Sequence, residues 1–180
     1  MRFDEYIKLA VRTESRINPK TGVGFTRDER LLHAAIGMVT EVGELLDAIK
    51  KHIFYGKQLD RVNMQEEIGD LCWYVALASD VLNITPEAVI RGSADVFCQV
   101  ISIVHVSANC LVFVHNEVAV VNALSDIMGS IFTICEVKSF SLGDILDTNI
   151  AKLKARYPDK FDTDKALNRD LKLERKILEK

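Results

Sequence analysis

The sequence predicts an all-α fold, a bundle of long helices, from two observations. Only three prolines and nine glycines interrupt the 180 residues, so few positions stop a helix. Apolar residues also recur at spacings of three and four over long stretches, which is the pattern of a helix with one buried face. The 48% share of hydrophobic residues is sufficient for a packed core. Length and composition together predict one domain over residues 1–180.

The first two helices are separated by a loop that is rich in turn-forming residues. Residues 3–13 are amphipathic, the loop covers 18–25, and a long helix is predicted over about 27–54. Gly56 supplies a natural stop for the long helix. The predicted buried stripe of this helix comprises Leu32, Ala35, Val39, Val42, Leu46, Ile49 and Ile53.

A second long helix is predicted over about 60–82. Its second half is almost entirely apolar, which favours a position at the centre of the bundle. Thr85 and Pro86 then predict the start of a further helix, because threonine is a common N-cap and proline suits the first helical position.

The middle of the chain, about 91–140, is predicted to be an extra helical pair. Between Arg91 and Gly143 there are six charged residues, and from Val96 to Val114 there are none. The uncharged stretch from Val96 to Val114 approaches the length of a membrane span. Its polar residues fall along one helix face, however, which favours a buried or interface helix and no membrane contact. These polar residues are Gln99, Ser102, His105 and Asn109.

This pair resembles a degenerate internal repeat. When the chain is shifted by 56 residues, 66–90 lies over 122–146 without a gap, and their apolar residues coincide. Asp70 then meets Asp126, but Glu67 meets Ala123. Chance agreement between two amphipathic helices is the alternative interpretation.

The net charge and the cysteine content limit the possible functions and cellular locations. The net charge of −3 argues against a general nucleic-acid binder, since neutralisation of phosphates supplies most of that affinity. Basic residues are concentrated in the C-terminal segment, 141–180. The four cysteines lie in apolar surroundings and are expected to be reduced core thiols. The polar N-terminus does not suit a signal peptide, so a cytoplasmic location is predicted.

Two acidic pairs are the candidate chemical site. Glu41 and Glu44 are three residues apart, and so are Glu67 and Asp70, so each pair shares one helix face. Small or apolar residues surround both pairs, which is unusual for a solvated face. The small neighbours of the first pair are Ala34, Gly37 and Ala48, and the second pair continues a row with Tyr74, Leu77 and Val81.

Four converging carboxylates require a cation. Two carboxylates about 5 Å apart repel by roughly 3 kcal/mol at an effective dielectric constant near 20. Oxygen ligands without histidine or cysteine favour Mg²⁺, and Mn²⁺ can take its place. A di-iron centre would normally need a Glu-x-x-His pair, and none stands beside these acids. Solvated acidic pairs are common on helices, and that is the competing interpretation.

These residues resemble a known family. The stretches at 33–58 and 66–82 (EEIGDLCWYVALASDVL), with 149–161 (NIAKLKARYPDKF) and 166–176, are similar to the MazG-like nucleoside triphosphate pyrophosphohydrolases. That family belongs to the all-α NTP pyrophosphatase superfamily. The resemblance covers about 1–90 and 141–180, and it implies a helical bundle of that type with catalytic helices in 1–90.

The resemblance implies magnesium-dependent hydrolysis of a nucleoside triphosphate to the monophosphate and pyrophosphate. Either Glu41 or Glu44 would be the general base, and Lys152 and Arg156 would meet the substrate phosphates. The implied metal ligands are Glu41, Glu44, Glu67 and Asp70, and the implied nucleotide-pocket residues are Asn149, Tyr157 and Trp73. Trp73 is equally explained as a core residue.

Two departures from the family pattern bear on assembly and on metal number. Thr40 stands where relatives often carry a further glutamate, and the segment 91–140 is longer than the usual connection. A degenerate repeat would let one chain imitate half of the family's assembly; a homo-oligomer, dimer or tetramer, is the prediction. Alternatives to broad triphosphate hydrolysis are a narrow activity on dUTP, dCTP or a phosphoribosyl-nucleotide. A catalytically silent bundle that binds a protein partner through its apolar middle is a further alternative.

Overall fold

The computed structural model describes residues 1–90, 94–159, 161–168 and 170–179, and within them the fold is all-α, as predicted. A 3₁₀ turn at Val11–Thr13 follows the first helix, and a single antiparallel bridge joins Ile17 to Gly24 in the first loop. The helices are α1 Phe3–Ala10, α2 Arg27–Tyr55, α3 Arg61–Leu82, α4 Val96–Val112, α5 Glu117–Lys138, α6 Leu142–Arg156, α7 Thr163–Leu167 and α8 Leu171–Leu178.

The two long helices of the first half begin and end at residues suited to those positions. Thr26 caps α2 in a capping box, accepting from the Glu29 N–H while the Glu29 carboxylate accepts from the Thr26 N–H. Gly56 ends α2 with φ of 63°, a left-handed conformation that glycine adopts at little cost. Asp60 caps α3 through the N–H groups of its first turn. The predicted bounds of both helices therefore differ from the observed ones by a residue at most.

The buried face of α2 differs from the predicted stripe. Leu32 and Ile53 are 41% and 53% exposed, because α2 packs against both α3 and α4 and its buried face is turned towards them. Gly37 lies under the ring of Tyr74, where an added Cβ would stand 2.1 Å from the ring. The buried residues of α2 are Leu31, Ala34, Ala35, Gly37, Met38, Val42, Leu45 and Ile49.

The extra helical pair is present as α4 and α5, and α5 repeats α3 at the shift of 56 residues. Both helices have 22 residues, and their N-caps, Asp60 and Asn116, are also 56 apart. Both end at a left-handed residue, Asn83 with φ of 55° and Ser139 with φ of 54°. Nine of the eleven buried residues of α3 have a buried counterpart in α5. Shared caps and shared burial favour a repeat over chance agreement of two apolar patterns.

The predicted helix start at Thr85 is wrong. Residues 84–90 are irregular, and the Val89 N–H donates to the Ser125 carbonyl of α5 at 3.0 Å. The backbone of Val89 passes so close to Gly129 that a Cβ there would lie 2.0 Å from the Val89 oxygen. An extended chain fits this shallow contact, whereas a helix would be too wide for it. The predicted start of the extra segment, residue 91, lies outside the described residues.

One helix, α5, is long and apolar enough to cross a membrane, but 61% of its most apolar stretch is buried inside the protein. A core helix of a soluble bundle has the same properties. The segment 96–114, singled out from the sequence, forms the shorter helix α4. Of the four polar residues on one face of α4, Ser102, His105 and Asn109 are exposed and Gln99 is buried, so most of this face is turned outward.

The C-terminal helices cover the first half of the bundle. Helix α6 packs against α1 and α3, and α8 packs against α6. Cys72, Cys110 and Cys135 are buried free thiols, as predicted, but Cys98 is exposed because it lies in the first turn of α4 beside the capping Asp95. The division of the chain into the segments 1–90, 91–140 and 141–180 stays a prediction.

Candidate active site

Three carboxyl groups from two adjacent helices converge at the end of the α2–α3 seam. Glu41 of α2 and Glu67 and Asp70 of α3 each have an oxygen within 4.8 Å of the others. The close contact of Gly37 with Tyr74 lies one helical turn away, because these residues precede Glu41 and follow Asp70 by four positions. Close packing at that level therefore sets the separation of the two helices at the carboxylates.

Glu44, the fourth predicted ligand, lies outside this group of three. It is exposed one turn further along α2, where it lines the cavity described below and a second cavity between the C-terminal half of α2 and the start of α3. Its charge still raises the pKa of Glu67. The structure thus brings three of the four predicted ligands together and leaves Glu44 at their edge.

The electrostatics of the three-carboxylate group fit a bound cation. Burial, together with the charges of Asp70 and Glu44, raises the pKa of Glu41 to about 7. Burial and the neighbouring carboxylates, Glu44 first among them, raise the pKa of Glu67 to about 8. A divalent cation would remove this penalty, and an oxygen-only ligand set suits Mg²⁺ or Mn²⁺.

Asp70 is held by two side chains of α6. Lys152 is completely buried, and its Nζ lies 2.7 and 2.6 Å from the two Asp70 oxygens and 3.3 Å from Oε1 of Glu66. Asn149 is 2% exposed and donates from Nδ2 to Oδ1 of Asp70 at 2.7 Å. Gly69 permits this approach, since a Cβ there would lie 3.0 Å from the Asn149 amide nitrogen. Lys152 and Asn149, both predicted to meet the substrate, are therefore bound to a carboxylate of the chain itself.

Arg156, the second predicted phosphate-binding residue, is also occupied by a carboxylate. Its Nε and Nη2 donate to the two oxygens of Glu174 in α8 at 2.8 and 2.7 Å, and both side chains are largely buried. Arg175, the next residue of α8, pairs with Asp60, the N-cap of α3. Helix α8 thus connects the end of α6 to the start of α3.

A cavity of about 540 Å³ opens beside the carboxylates. This volume lies in the range of small-molecule sites. The acidic residues form one wall, and the aromatic rings of Trp73, Tyr74, Tyr157 and Phe161 lie around the rest. Trp73 is half-buried, and its indole N–H donates to Oγ1 of Thr13 at 3.0 Å, which fixes the ring at the rim of the cavity.

Residues 32–94 match the family model described as the MazG nucleotide pyrophosphohydrolase domain. This segment is MazG-like. The match confirms the resemblance read from the sequence over these residues. Comparisons with curated proteins and with solved structures gave no match.

The MazG-like segment contains all four acidic residues predicted as ligands, whereas the α6 residues lie beyond it. The contacts of Asn149, Lys152 and Arg156 are therefore known from this structure alone. Their roles, and those of Tyr157 and Trp73, stay predictions.

Tyr6 and Glu174 are among the residues of the site that the sequence analysis missed. The Tyr6 hydroxyl donates to Oδ1 of Asn149 at 2.7 Å, and Glu174 binds Arg156. For Tyr6 the only available signal was its place on the inward face of an amphipathic helix. For Glu174 no local pattern distinguishes it from the other charged residues of the C-terminal segment.

Proposed function

We propose that this MazG-like protein hydrolyses nucleoside triphosphates, NTP or dNTP, between the α- and β-phosphates, and releases the monophosphate and pyrophosphate. The proposed reaction depends on Mg²⁺, for which Mn²⁺ can substitute. The observation that supports it best is the convergence of three carboxyl groups on the wall of a nucleotide-sized cavity, with the pKa values of two of them, Glu41 and Glu67, raised to about 7 and about 8.

Glu41, Glu67 and Asp70 would hold the metal ion, and Glu44 is close enough in sequence and space to complete the set. When bound, the ion supplies charge neutralisation and lowers the pKa of a coordinated water. The rest of the chemistry falls to the side chains around it.

Glu41 and Glu44 are the two candidates for the general base. A base works best with a pKa near the working pH, and burial with neighbouring charges raises that of Glu41 to about 7. Glu44 is the more exposed of the two and lines the cavity, so it can accept a hydrogen bond from a water there. Both are also proposed metal ligands, so Glu41→Gln and Glu44→Gln are compared at saturating Mg²⁺, where the variant that lacks the base keeps the lower kcat.

Lys152 and Arg156 would stabilise the phosphates and the leaving pyrophosphate. Both cations are bound by carboxylates of the chain in this structure, Lys152 by Asp70 and Arg156 by Glu174. Substrate binding then exchanges one anionic partner for another, which costs less than bringing in an unpaired charge.

The aromatic part of the cavity is proposed to hold the base, with Trp73 and Tyr157 as walls and Asn149 acting at the carboxylate end. Narrow substrates such as dUTP, dCTP or a phosphoribosyl-nucleotide use the same acidic chemistry. They differ only in which groups this aromatic wall must accommodate.

A panel of nucleotides tests the function directly. Pyrophosphate release is measured for the common NTPs and dNTPs and for a phosphoribosyl-nucleotide, with Mg²⁺, with Mn²⁺ and with EDTA. We expect release with either metal and none with EDTA. Release in EDTA would contradict the metal mechanism, and no release from any nucleotide would favour the silent partner-binding bundle.

Assembly and location are separate proposals. A dimer or tetramer is proposed because α4 and α5 expose large apolar side chains, including Phe97, Ile101 and Phe132. A monomeric mass in light scattering would contradict it. We propose a cytoplasmic protein without nucleic-acid or membrane partners, which fractionation of cells that express the chain can test.

A further inference from the structure

A buried hydrogen bond connects the N-terminal helix to the candidate metal site. Tyr6 of α1 is 0% exposed, and its hydroxyl lies 2.7 Å from Oδ1 of Asn149 and 3.2 Å from the carbonyl oxygen of Gly69. Asn149 in turn donates to Asp70 at 2.7 Å. The three side chains come from α1, α6 and α3, so the bonds join helices that are distant in sequence.

The direction of these bonds follows from chemistry. An ionised Asp70 can only accept, so the Asn149 group that faces it must be the amide nitrogen. The amide oxygen then faces Tyr6, and the hydroxyl must donate its single proton to it. Burial raises the pKa of Tyr6 well above its usual value, so the hydroxyl keeps this proton throughout the physiological range.

Tyr6 adds a second restraint on the amide of Asn149, beside that of Asp70. Asparagine amides present a donor and an acceptor that are similar in size, and only their partners decide which side each group takes. A rotation by half a turn would place the Asn149 oxygen against Asp70, where two acceptors repel. The rotation would also break the 2.7 Å bond from Tyr6 to the Asn149 oxygen and leave the hydroxyl proton only the Gly69 carbonyl at 3.2 Å.

The orientation of Asn149 matters because of the competition for Asp70. Lys152 contacts both Asp70 oxygens, so a metal ion must displace the ammonium from at least one of them. Asn149 is neutral and does not compete with a cation. It can hold Oδ1 of Asp70 while the carboxylate changes its ionic partner.

We propose that Tyr6 is a positioning residue: its hydroxyl fixes the amide of Asn149, which in turn holds the Asp70 carboxylate in the orientation that receives the metal ion. This inference rests on the proposed function only in taking Asp70 as a metal ligand. It adds a residue of α1, outside the MazG-like segment, to the metal site.

Mn²⁺ binding to the nucleotide-free full chain tests the inference, with the free ion counted by electron paramagnetic resonance. The variants are Tyr6→Phe, Asn149→Ala and the double variant. Loss of a hydrogen bond to a metal ligand typically costs about 10-fold or more in metal affinity. We expect Tyr6→Phe to raise the Kd for Mn²⁺ about 10-fold. In the Asn149→Ala background the same substitution should have no further effect.

Ile7→Val is the matched control. Ile7 is buried in the same helix and its side chain has no hydrogen-bonding group, so its truncation lowers the melting temperature without removing a hydrogen bond to Asn149. We expect this variant to bind Mn²⁺ with the Kd of the unchanged protein. We also expect high Mn²⁺ concentration to restore kcat in Tyr6→Phe, as a loss of metal affinity predicts.

The outcomes separate this inference from the proposed function. An unchanged Kd in Tyr6→Phe or in Asn149→Ala would overturn it, as would an equal effect of Tyr6→Phe in both backgrounds. No Mn²⁺ binding by the unchanged protein would overturn both proposals. A weakened Kd in Tyr6→Phe, combined with no cleavage of any nucleotide, would refute the enzymatic proposal and leave the positioning role supported.

Discussion

The two helical pairs of this molecule share a scaffold and differ in chemistry. Helices α3 and α5 have equal lengths, equivalent caps and nearly the same buried positions. Yet Glu67 of α3 corresponds to Ala123 of α5, and α4 carries no acidic residue, whereas α2 carries Glu41 and Glu44. The caps and the apolar pattern are therefore sufficient for the fold, and the carboxylates are additional to it.

The helical pair α2–α3 carries an electrostatic cost that the helical pair α4–α5 does not. Glu41 and Glu67 have raised pKa values because they are buried close to other carboxylates. Such groups lower the stability of the folded chain at neutral pH, since the ionised forms are disfavoured. Retention of this arrangement in one pair only points to a function there, and the comparison can be tested by equivalent substitutions.

The largest effect is expected from the acidic residues themselves. Glu67→Gln and Asp70→Asn remove a ligand charge and should lower pyrophosphate release about a thousandfold or more, with unchanged helical content by circular dichroism. Asp126→Asn changes the residue of the second pair that corresponds to Asp70 and should keep most of the activity. Equal losses in Asp70→Asn and Asp126→Asn would end the distinction between the two pairs.

Substitution of Lys152 should have the next largest effect, since α6 packs against α3 and its Lys152 is the buried cation that binds Asp70. Lys152→Met should lower turnover about a hundredfold through lost phosphate stabilisation. The affinity for Mg²⁺ should stay the same or increase, because the ammonium no longer competes for Asp70. Lys154→Met, on the exposed face of the same helix, is the control and should behave as the unchanged protein. A weaker affinity for Mg²⁺ in Lys152→Met would contradict this account.

The close packing of α2 against α3 can be tested at Gly37. An alanine Cβ would stand 2.1 Å from the Tyr74 ring, so Gly37→Ala should lower the free energy of unfolding by about 1–3 kcal/mol. It should also lower the affinity for Mn²⁺, because the two helices are pushed apart beside Glu41. Gly43→Ala on the same helix meets no atom within 4 Å and should stabilise α2 by about 0.5–1 kcal/mol. Chemical denaturation measures both; a neutral Gly37→Ala would refute the packing argument.

The smallest effect concerns pH. Glu41 and Glu67 bind protons more tightly in the folded chain, with pKa values of about 7 and about 8 against an ordinary 4.5, so their contribution to stability falls as the pH rises from about 4.5 to 8. Mg²⁺ binds the deprotonated forms and offsets this loss. The gain in melting temperature on adding Mg²⁺ should therefore grow between pH 6 and 8. Glu67→Gln should flatten that dependence, and an equal gain at every pH would contradict it.

The sequence predicted the helices of both pairs and the place of the acidic residues, because caps and apolar periodicity are local signals. It failed at Thr85, where local capping preference was outweighed by a backbone contact between Val89 and Ser125. It assigned Asn149 and Lys152 to the substrate, which stays a prediction, and it did not predict that both bind Asp70. A carboxylate and a phosphate attract the same donors, so the residue type alone cannot distinguish the two partners.

The partners of Asp70 come from a distant part of the chain, with Asn149 and Lys152 79 and 82 positions beyond it. During synthesis, α2 and α3 can pair as soon as they leave the ribosome, while the lysine that neutralises them and the helix that supports Arg156 have yet to be made. The carboxylates are thus brought together early, and the cationic side chains beside them are added late. A nascent chain would therefore expose three carboxylates that repel one another before the buried ammonium group that pairs with Asp70 has been synthesised.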